Sequence, residues 1–173
     1  KGVQSTLQEV GGDPAENLGK LELLLSLYRL TGLDGKVVLC NAPLYHGGPL
    51  AICGVPFFLG ATIILRRKWN GEETLRLIDE HGVNIYYAVP THFTRLLKLP
   101  EEIRKSFSGA SLEYVMHTAA PCPPGVKQQM IDWWGPVLME LYGASEAGGV
   151  GTVVDSHEWL AKPGTVGKPT LVA

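Results

Sequence analysis

Short apolar runs alternate with amphipathic segments along most of this chain, and this alternation restricts the fold more than any other feature. The runs are rich in Val, Ile and Leu, and they are Lys36–Cys40, Ala61–Leu65, Val83–Val89, Leu112–Met116 and Val137–Leu141. Their apolar residues are mostly consecutive, so we expect both faces of each strand to be buried. The pattern predicts an α/β fold, a mostly parallel sheet flanked by helices on both sides.

Helices are predicted between these strands. Apolar residues recur at helical spacing in Ala15–Thr31, Pro49–Leu59, Asn70–His81, His92–Leu99 and Gly125–Trp134. Asn70 is the expected N-cap of its helix, with Glu73 at the capping-box position, and Thr91 is the expected N-cap of the next helix. Glu101–Ser106 is predicted to be charged and exposed, while Thr152–Pro169 has turn residues and no clear period.

Charge and composition exclude several classes of function. The chain has 173 residues and a net charge of −2, and its one basic run, Arg66–Lys68, follows an apolar strand and is interpreted as a solvated strand end. Nothing therefore points to nucleic acid or to an anionic membrane. The uncharged stretch Leu50–Leu65 is shorter than the roughly 20 residues of a membrane span. No two of the three cysteines have metal-ligand spacing, which favours a reduced, cytoplasmic setting.

The loops that follow the predicted strands are where a ligand is expected. In a parallel sheet flanked by helices, ligands bind at the carboxyl ends of the strands. The loops at those ends are Asn41–Gly48, Val89–Thr91, His117–Pro123 and Tyr142–Gly149.

The last of these loops is rich in glycine and carries one hydroxyl, Ser145, and one carboxylate, Glu146. Glycines let backbone amides approach an anion closely. A carboxylate cannot grip phosphate, but it can hold a divalent cation that bridges phosphates. The loop is therefore interpreted as half of a nucleotide–metal site, and the alternative is a tight turn with a solvated glutamate.

Five segments resemble motifs of the adenylate-forming superfamily, which contains acyl-CoA synthetases, adenylation domains of peptide synthetases and beetle luciferases. Tyr142–Glu146 resembles its Tyr-Gly-X-Thr-Glu signature. The others follow the family's order: Lys1–Val3 resembles the end of its phosphate loop, Pro43–Gly48 its acyl-site Pro-Leu-Phe-His-X-Gly, Thr118–Pro123 its adenine loop Gly-Gly-Ala-Pro-Leu-Pro, and Pro163–Pro169 its Gly-Ser-Val-Gly-X-Pro. The resemblance covers nearly the whole chain and implies part of an acyl-CoA synthetase-like N-terminal domain.

The resemblance implies roles for two residues at the phosphates. Glu146 would hold Mg²⁺ at the ATP phosphates, where a carboxylate attacking an anionic phosphoryl group needs its repulsion neutralised. Ser145 stands where the family usually has Thr, and its hydroxyl would donate to the α-phosphate.

An adenine site is also implied. Ala119, Ala120 and Pro121 would form its floor, although the family prefers glycine where Ala119 stands, and the extra methyl would narrow the approach. Tyr142, followed by Gly143, would stack on the base through its ring. The alternative for Tyr142 is a core aromatic at a strand end.

The acyl site is implied at Asn41–Gly48, where His46 would lie between the acyl carboxylate and the thioester channel. A histidine that is merely a satisfied core or loop residue is the alternative. This segment has no Asp or Glu to pair with an ammonium, which argues for an acid without an α-amino group. Gly148 and Gly149 would leave room for an aryl ring or a chain. The remaining histidines are expected to be surface or structural residues: His81, His92, His157 and, at a strand end, His117.

Together these observations predict an ATP-dependent acid–CoA ligase that uses Mg²⁺ and takes coenzyme A as co-substrate. The substrate would be a fatty or aryl carboxylic acid. Alternatives are an adenylation domain that loads a carrier protein, a luciferase-like oxidase, and a non-catalytic nucleotide-binding module. The residues 1–173 are expected to be a fragment of the adenylation domain, inactive in isolation. The Ser/Thr/Gly part of the phosphate loop and the C-terminal domain with its catalytic Lys would lie outside it.

Overall fold

A computed structural model describes residues 33–144 and 149–169, and within them it confirms the predicted α/β architecture. The strands form one sheet, in the spatial order β2-β1-β3-β4-β5-β6-β7. They are β1 (Val37–Cys40), β2 (Thr62–Leu65), β3 (Ile85–Ala88), β4 (Tyr114–His117), β5 (Leu138–Ala144), β6 (Gly149–Asp155) and β7 (Lys168–Pro169).

The sheet is parallel from β2 to β5 and antiparallel at its far side, where β6 pairs with β5 and β7 with β6. Each parallel crossover carries at least one helix, as such connections require. The prediction for Thr152–Pro169 was wrong, because this segment contains most of β6, a short helix and β7. The glycines of β6 and its place near the end of the sheet remove a clear alternation of apolar residues. The strand is specified instead by its pairing with β5.

Six helices lie among the described residues. They are α1 (Gly47–Phe58), α2 (Gly71–His81), α3 (Pro90–Leu96), α4 (Glu101–Ser106), α5 (Pro124–Trp134) and α6 (Ser156–Ala161). The predicted helix Ala15–Thr31 and the motif at Lys1–Val3 lie outside the described residues. Glu101–Ser106 is a short helix with no buried residue. The sequence predicted its charge and exposure but not its helical structure, because no apolar periodicity marks it.

Local capping explains where α2 and α3 begin. The Asn70 side chain accepts a hydrogen bond from the backbone N–H of Glu73 at 2.9 Å, as predicted, and Gly82 ends the helix with a left-handed φ of 59°. Thr91 is not a cap, because α3 begins one residue earlier at Pro90. Proline suits the first helical position, since its fixed φ is helical and its missing N–H would have no partner there.

The main core lies on the sheet face covered by α2, α3 and α5. Its largest members have less than a tenth of their surface exposed, and they include Tyr86, Phe93, Leu96, Met130 and Trp134. Ile52 and Cys53 of α1 are buried elsewhere, outside this cluster.

The basic run is exposed as predicted, and two of the cysteines are buried. Arg66, Arg67 and Lys68 are exposed after β2, and Cys40 and Cys53 are buried free thiols. None of the helices within residues 33–144 and 149–169 has the length and apolar character that a membrane crossing requires.

Candidate nucleotide and acyl site

The carboxyl ends of β1, β3, β4 and β5 lie side by side at one edge of the sheet, because these strands are parallel neighbours. The segments that leave this edge are 41–46, residue 89, 118–123 and 145–148. They lie within the segments expected to bind a ligand, but these loops are shorter than predicted. Tyr142 and Gly143 belong to β5, Gly149 begins β6, and Gly48 belongs to α1. Ser145, Glu146 and Gly148 lie outside the described residues, so their predicted roles stay predictions.

The acyl segment is anchored at its start by a buried hydrogen bond. Asn41 follows β1 and is 7% exposed, and its Nδ2 donates to Oγ1 of Thr74 in α2 at 2.9 Å. The Thr74 hydroxyl donates in turn to the backbone carbonyl of Asn70 at 2.6 Å. Since buried polar groups are costly when unpaired, this chain of bonds fixes where the segment leaves the sheet.

Close packing anchors the other end of the segment. A Cβ atom built on Gly48 would lie 2.9 Å from Oη of Tyr87, which is the next-to-last residue of β3 and 3% exposed. Burial raises the pKa of Tyr87 to about 12, so its hydroxyl stays protonated at neutral pH. Sequence reasoning missed Tyr87, and the one signal for it was the glycine at position 48.

His46 is exposed and directly precedes α1, at its N-cap position. Its side chain makes no capping hydrogen bond, and its ring lies 4.5 Å from that of Tyr45, centroid to centroid. The alternative was a core or loop histidine, and its core half is therefore wrong, whereas the loop half stays open. The imidazole is open to solvent at the edge where the acyl site was predicted.

The predicted adenine floor is an exposed surface of small residues. Ala119, Ala120 and Pro121 are all exposed, and Ala119 has a φ of 76°. This left-handed conformation costs an L-residue roughly 1–2 kcal/mol, whereas glycine adopts it freely. The alanine that replaces glycine here therefore strains the backbone. The sequence analysis predicted only that its methyl group would narrow the approach.

Tyr142 faces solvent near this floor. It is 63% exposed, so the alternative of a core aromatic is wrong. The pairing of β5 with β6 shifts register between Tyr142 and Gly143, where Thr152 and Val150 are the respective partners. Such a bulge bends the strand locally and re-aims the chain as it enters residues 145–148.

His117, the last residue of β4, lies directly before the adenine floor and is completely buried. Its ring packs edge-on against Phe93, with centroids 5.2 Å apart. Burial, assisted by the charge of Lys127, lowers the pKa of His117 to about 3, so the ring is neutral at physiological pH. It is a structural strand-end histidine, as expected, although its complete burial was not predicted.

The described residues offer no preformed metal centre, because within 33–144 and 149–169 no three His, Cys, Asp or Glu side chains gather around one point. A cation that is held mainly by phosphate oxygens needs only one or two protein carboxylates, which is the usual arrangement for Mg²⁺ on nucleotides. A single carboxylate after β5 fits that donor set.

Comparison with known proteins identifies the type of domain. The sequence profile of the family described as AMP-binding enzyme matches residues 1–173. A long-chain-fatty-acid–CoA ligase of Bacillus subtilis is 33% identical over 133 residues, which are 76% of this chain and 23% of the ligase. A feruloyl-CoA synthase of Amycolatopsis is 27% identical over 134 residues, 77% of this chain and 27% of that enzyme.

The fold is shared with solved adenylate-forming enzymes. O-succinylbenzoate coenzyme A synthetase of Bacillus subtilis, solved with ATP and a magnesium ion, superposes with a TM-score of 0.67 at 22% identity. The match covers 88% of this chain and 31% of that one. This chain spans about a quarter of the length of the two relatives above.

Proposed function

The chain belongs to the family of AMP-binding enzymes, and from this premise we propose that the protein containing it is an acid–CoA ligase. In the first step a carboxylate oxygen of the acid attacks the α-phosphorus of ATP, and the bond to pyrophosphate breaks. In the second step the thiol sulfur of coenzyme A attacks the carbonyl carbon of the acyl-adenylate, and AMP leaves. The mixed anhydride formed in between makes a poor electrophile reactive.

One observation carries this proposal. The segments matched to the acyl and adenine motifs leave β1 and β4, two parallel strands separated only by β3, at the same sheet edge, and the chain that continues from β5 carries the signature loop. Adenine would lie on Ala119–Pro121 with the exposed ring of Tyr142 against it, and the acid would enter beside His46. A site at this edge brings the carboxylate and the α-phosphate together, which is where much of the rate enhancement of a two-substrate reaction arises.

The phosphates are assigned to the loop after β5. Glu146 would hold Mg²⁺, whose charge neutralises the repulsion between the attacking carboxylate and the phosphates. The hydroxyl of Ser145 would donate a hydrogen bond to the α-phosphate, and the backbone amides of the glycine-rich segment add further donors.

The substrate class follows from charge. The segment Asn41–Gly48 contains no carboxylate, and an α-ammonium placed there without a partner would be strongly penalised. We therefore assign simple carboxylic acids, fatty or aryl, as substrates rather than amino acids. The names of the two relatives, one for a long-chain fatty acid and one for an aryl acid, support both kinds.

A substrate panel tests the proposal in the full-length protein. Acid-dependent exchange of pyrophosphate into ATP should be seen with fatty or aryl acids and be at least about 100-fold weaker with the matching α-amino acids, as expected for a buried unpaired charge. The acyl-adenylate should then give a thioester with coenzyme A. Preference for an α-amino acid, or acyl transfer only to a phosphopantetheinylated carrier protein, would contradict it and favour a carrier-loading adenylation domain.

A further inference from the structure

A buried ion pair lies directly beneath the candidate nucleotide site. Lys127 of α5 is completely buried, and its Nζ lies 2.7 Å from Oε2 of Glu140 in β5, which is itself 7% exposed. The ammonium also lies 5.3 Å from the centre of the Trp159 ring. Lysine and glutamate are almost never buried unless paired, so each of these charges depends on the other.

The pair lies close to both ends of the adenine loop, residues 118–123. The loop starts after His117, whose Nε2 lies 3.9 Å from Oε2 of Glu140, and His117 and Glu140 are cross-strand partners in the β4–β5 ladder. The loop ends at Pro123, whose carbonyl accepts a hydrogen bond from the backbone N–H of Lys127 at 3.0 Å. The start of segment 118–123 therefore lies next to the carboxylate of Glu140, and its end is bonded to the backbone of Lys127, the residue that pairs with that carboxylate.

Glu140 also lies on β5, the strand that leads to residues 145–148. Tyr142 follows it by two residues in β5, just before the chain enters residues 145–148. A displacement of Glu140 would therefore shift the adenine floor relative to the aromatic residue and the loop beyond it.

Among residues 33–144 and 149–169, Lys127 is the one charged group that the structure pairs with the Glu140 carboxylate at neutral pH. His117 is neutral at physiological pH, because burial and the charge of Lys127 lower its pKa to about 3. Burial lowers the pKa of Lys127 as well, and the hydrogen bond and charge of Glu140 oppose that change. A neutral histidine at 3.9 Å is too distant for a hydrogen bond and cannot replace the ammonium.

Stability alone does not explain why a charged pair is buried at this place. Replacing a buried ion pair by apolar side chains of similar volume is often neutral or stabilising, because the desolvation of two ions offsets much of their attraction. What an apolar pair cannot reproduce is a directional bond of fixed length between α5 and β5.

We propose that Lys127 acts through Glu140 as a positioning residue, which holds the two ends of the adenine loop and strand β5 in one geometry for ATP. This rests on the proposed function, since it assigns ATP to that edge of the sheet. The proposal also has a part that does not depend on function: the bond between Lys127 and Glu140 keeps segment 118–123 rigid.

The test compares three variants of the full-length protein. Lys127→Met/Glu140→Met replaces the pair by an apolar one, and Lys127→Gln/Glu140→Gln restores a hydrogen bond without charge. Lys36→Met/Glu113→Met is the matched control, because this Lys–Glu pair lies beside the amino ends of β1 and β4, at the opposite edge of the same sheet. Each is measured for thermal unfolding, amide hydrogen exchange, and KM and kcat of acid-dependent pyrophosphate exchange.

We expect the double-Met variant to unfold near the wild-type temperature. The amides of residues 126 and 127, which bond to the carbonyl of Pro123 at the end of the adenine loop, should exchange about tenfold faster. The KM for ATP should rise about tenfold, with KM for the acid unchanged. The double-Gln variant should recover most of both losses, and the control should change neither. Wild-type protection of these two amides and a wild-type KM for ATP in the double-Met variant would overturn the proposal. If the wild type shows no acid-dependent exchange, the proposed function fails, whereas hydrogen exchange still decides the positioning claim.

Discussion

At the scale of single residues, backbone conformation restricts one position at the site and close packing restricts another. Of the described residues other than glycine, only Ala119 has a positive φ, at 76°. Gly48 leaves no room for a side chain because the hydroxyl of Tyr87 occupies that space. Both features belong to motif segments, and both explain why a small residue is needed where it stands.

Ala119→Gly should stabilise the protein. Glycine relieves a strain of roughly 1–2 kcal/mol and loses part of that gain to its larger unfolded-state entropy, so the free energy of unfolding should rise by about 1 kcal/mol. Denaturant unfolding measures it. Ala110→Gly is the control, since Ala110 is also exposed but has no positive φ, and it should be neutral or destabilising. A loss of stability in Ala119→Gly would show that no strain is relieved there.

Gly48→Ala should destabilise the protein by about 1–3 kcal/mol, because its Cβ would overpack against Tyr87. Adding Tyr87→Phe removes the Oη atom and should restore most of the loss, so the two substitutions are strongly coupled in a double-mutant cycle. Gly54→Ala provides a control in the same helix, because a Cβ there meets nothing within 4 Å and should stabilise the helix. Additive effects of Gly48→Ala and Tyr87→Phe would contradict the contact.

At the scale of elements, the sequence predicted the strands and helices that local residue patterns specify. The central strands were found because their residues are buried on both faces, and α2 was found with its cap because Asn70, Glu73 and Gly82 are local signals. The strand β6 was missed, since it contains glycines and is specified by its partner β5.

At the candidate site too, local sequence patterns predicted some features and missed others. The loops at the sheet edge could be predicted because parallel topology alone brings them together. Tyr87 behind Gly48 and Lys127 beneath Glu140 could not, because each contact joins residues from different elements and no local pattern encodes it. The exposure of Tyr142 also needed the structure, as a strand-end aromatic can face either side.

The edge pairing of β6 with β7 gives a prediction at this scale. Gly167 has a φ of 94°, and a Cβ on it would lie 1.9 Å from the backbone carbonyl oxygen of Val153 in β6. Gly167→Ala should therefore cost at least about 2 kcal/mol and expose the β6–β7 amides to hydrogen exchange. Gly164→Ala is the matched control, because Gly164 has a φ of 86° and open space around it. Equal effects of the two substitutions would show that strain alone, without the contact, explains the loss.

At the scale of the whole molecule, two neutral histidines, His117 completely buried and His92 partly buried, make stability depend on pH. Burial is the main cause that lowers the pKa of His92 to about 4 and that of His117 to about 3, against about 6.5 in an unfolded chain. Below pH 6.5 the unfolded state therefore binds protons that the folded state does not, and the free energy of unfolding falls as the pH drops toward 3–4.

Between pH 7 and pH 5 this loss should be about 2 kcal/mol for each histidine. Denaturant unfolding at the two pH values measures it. His92→Phe keeps a ring beside Trp69, which His92 contacts at 4.6 Å between ring centroids, and should remove about half of the pH dependence. Equal stability of the wild type at pH 7 and pH 5 would contradict the burial of neutral histidines.

The central claim is that the edge formed by the carboxyl ends of β1, β3, β4 and β5 activates a carboxylic acid with ATP. The most direct measurement is acid-dependent pyrophosphate exchange by the full-length protein at saturating magnesium, in the wild type, Glu146→Gln and the control Glu72→Gln, an exposed residue of α2. We expect exchange that depends on the acid, falls by roughly two to three orders of magnitude in Glu146→Gln, and is unchanged in Glu72→Gln. A Glu146→Gln rate within a few-fold of the wild type, or no exchange with any carboxylic acid, would contradict it.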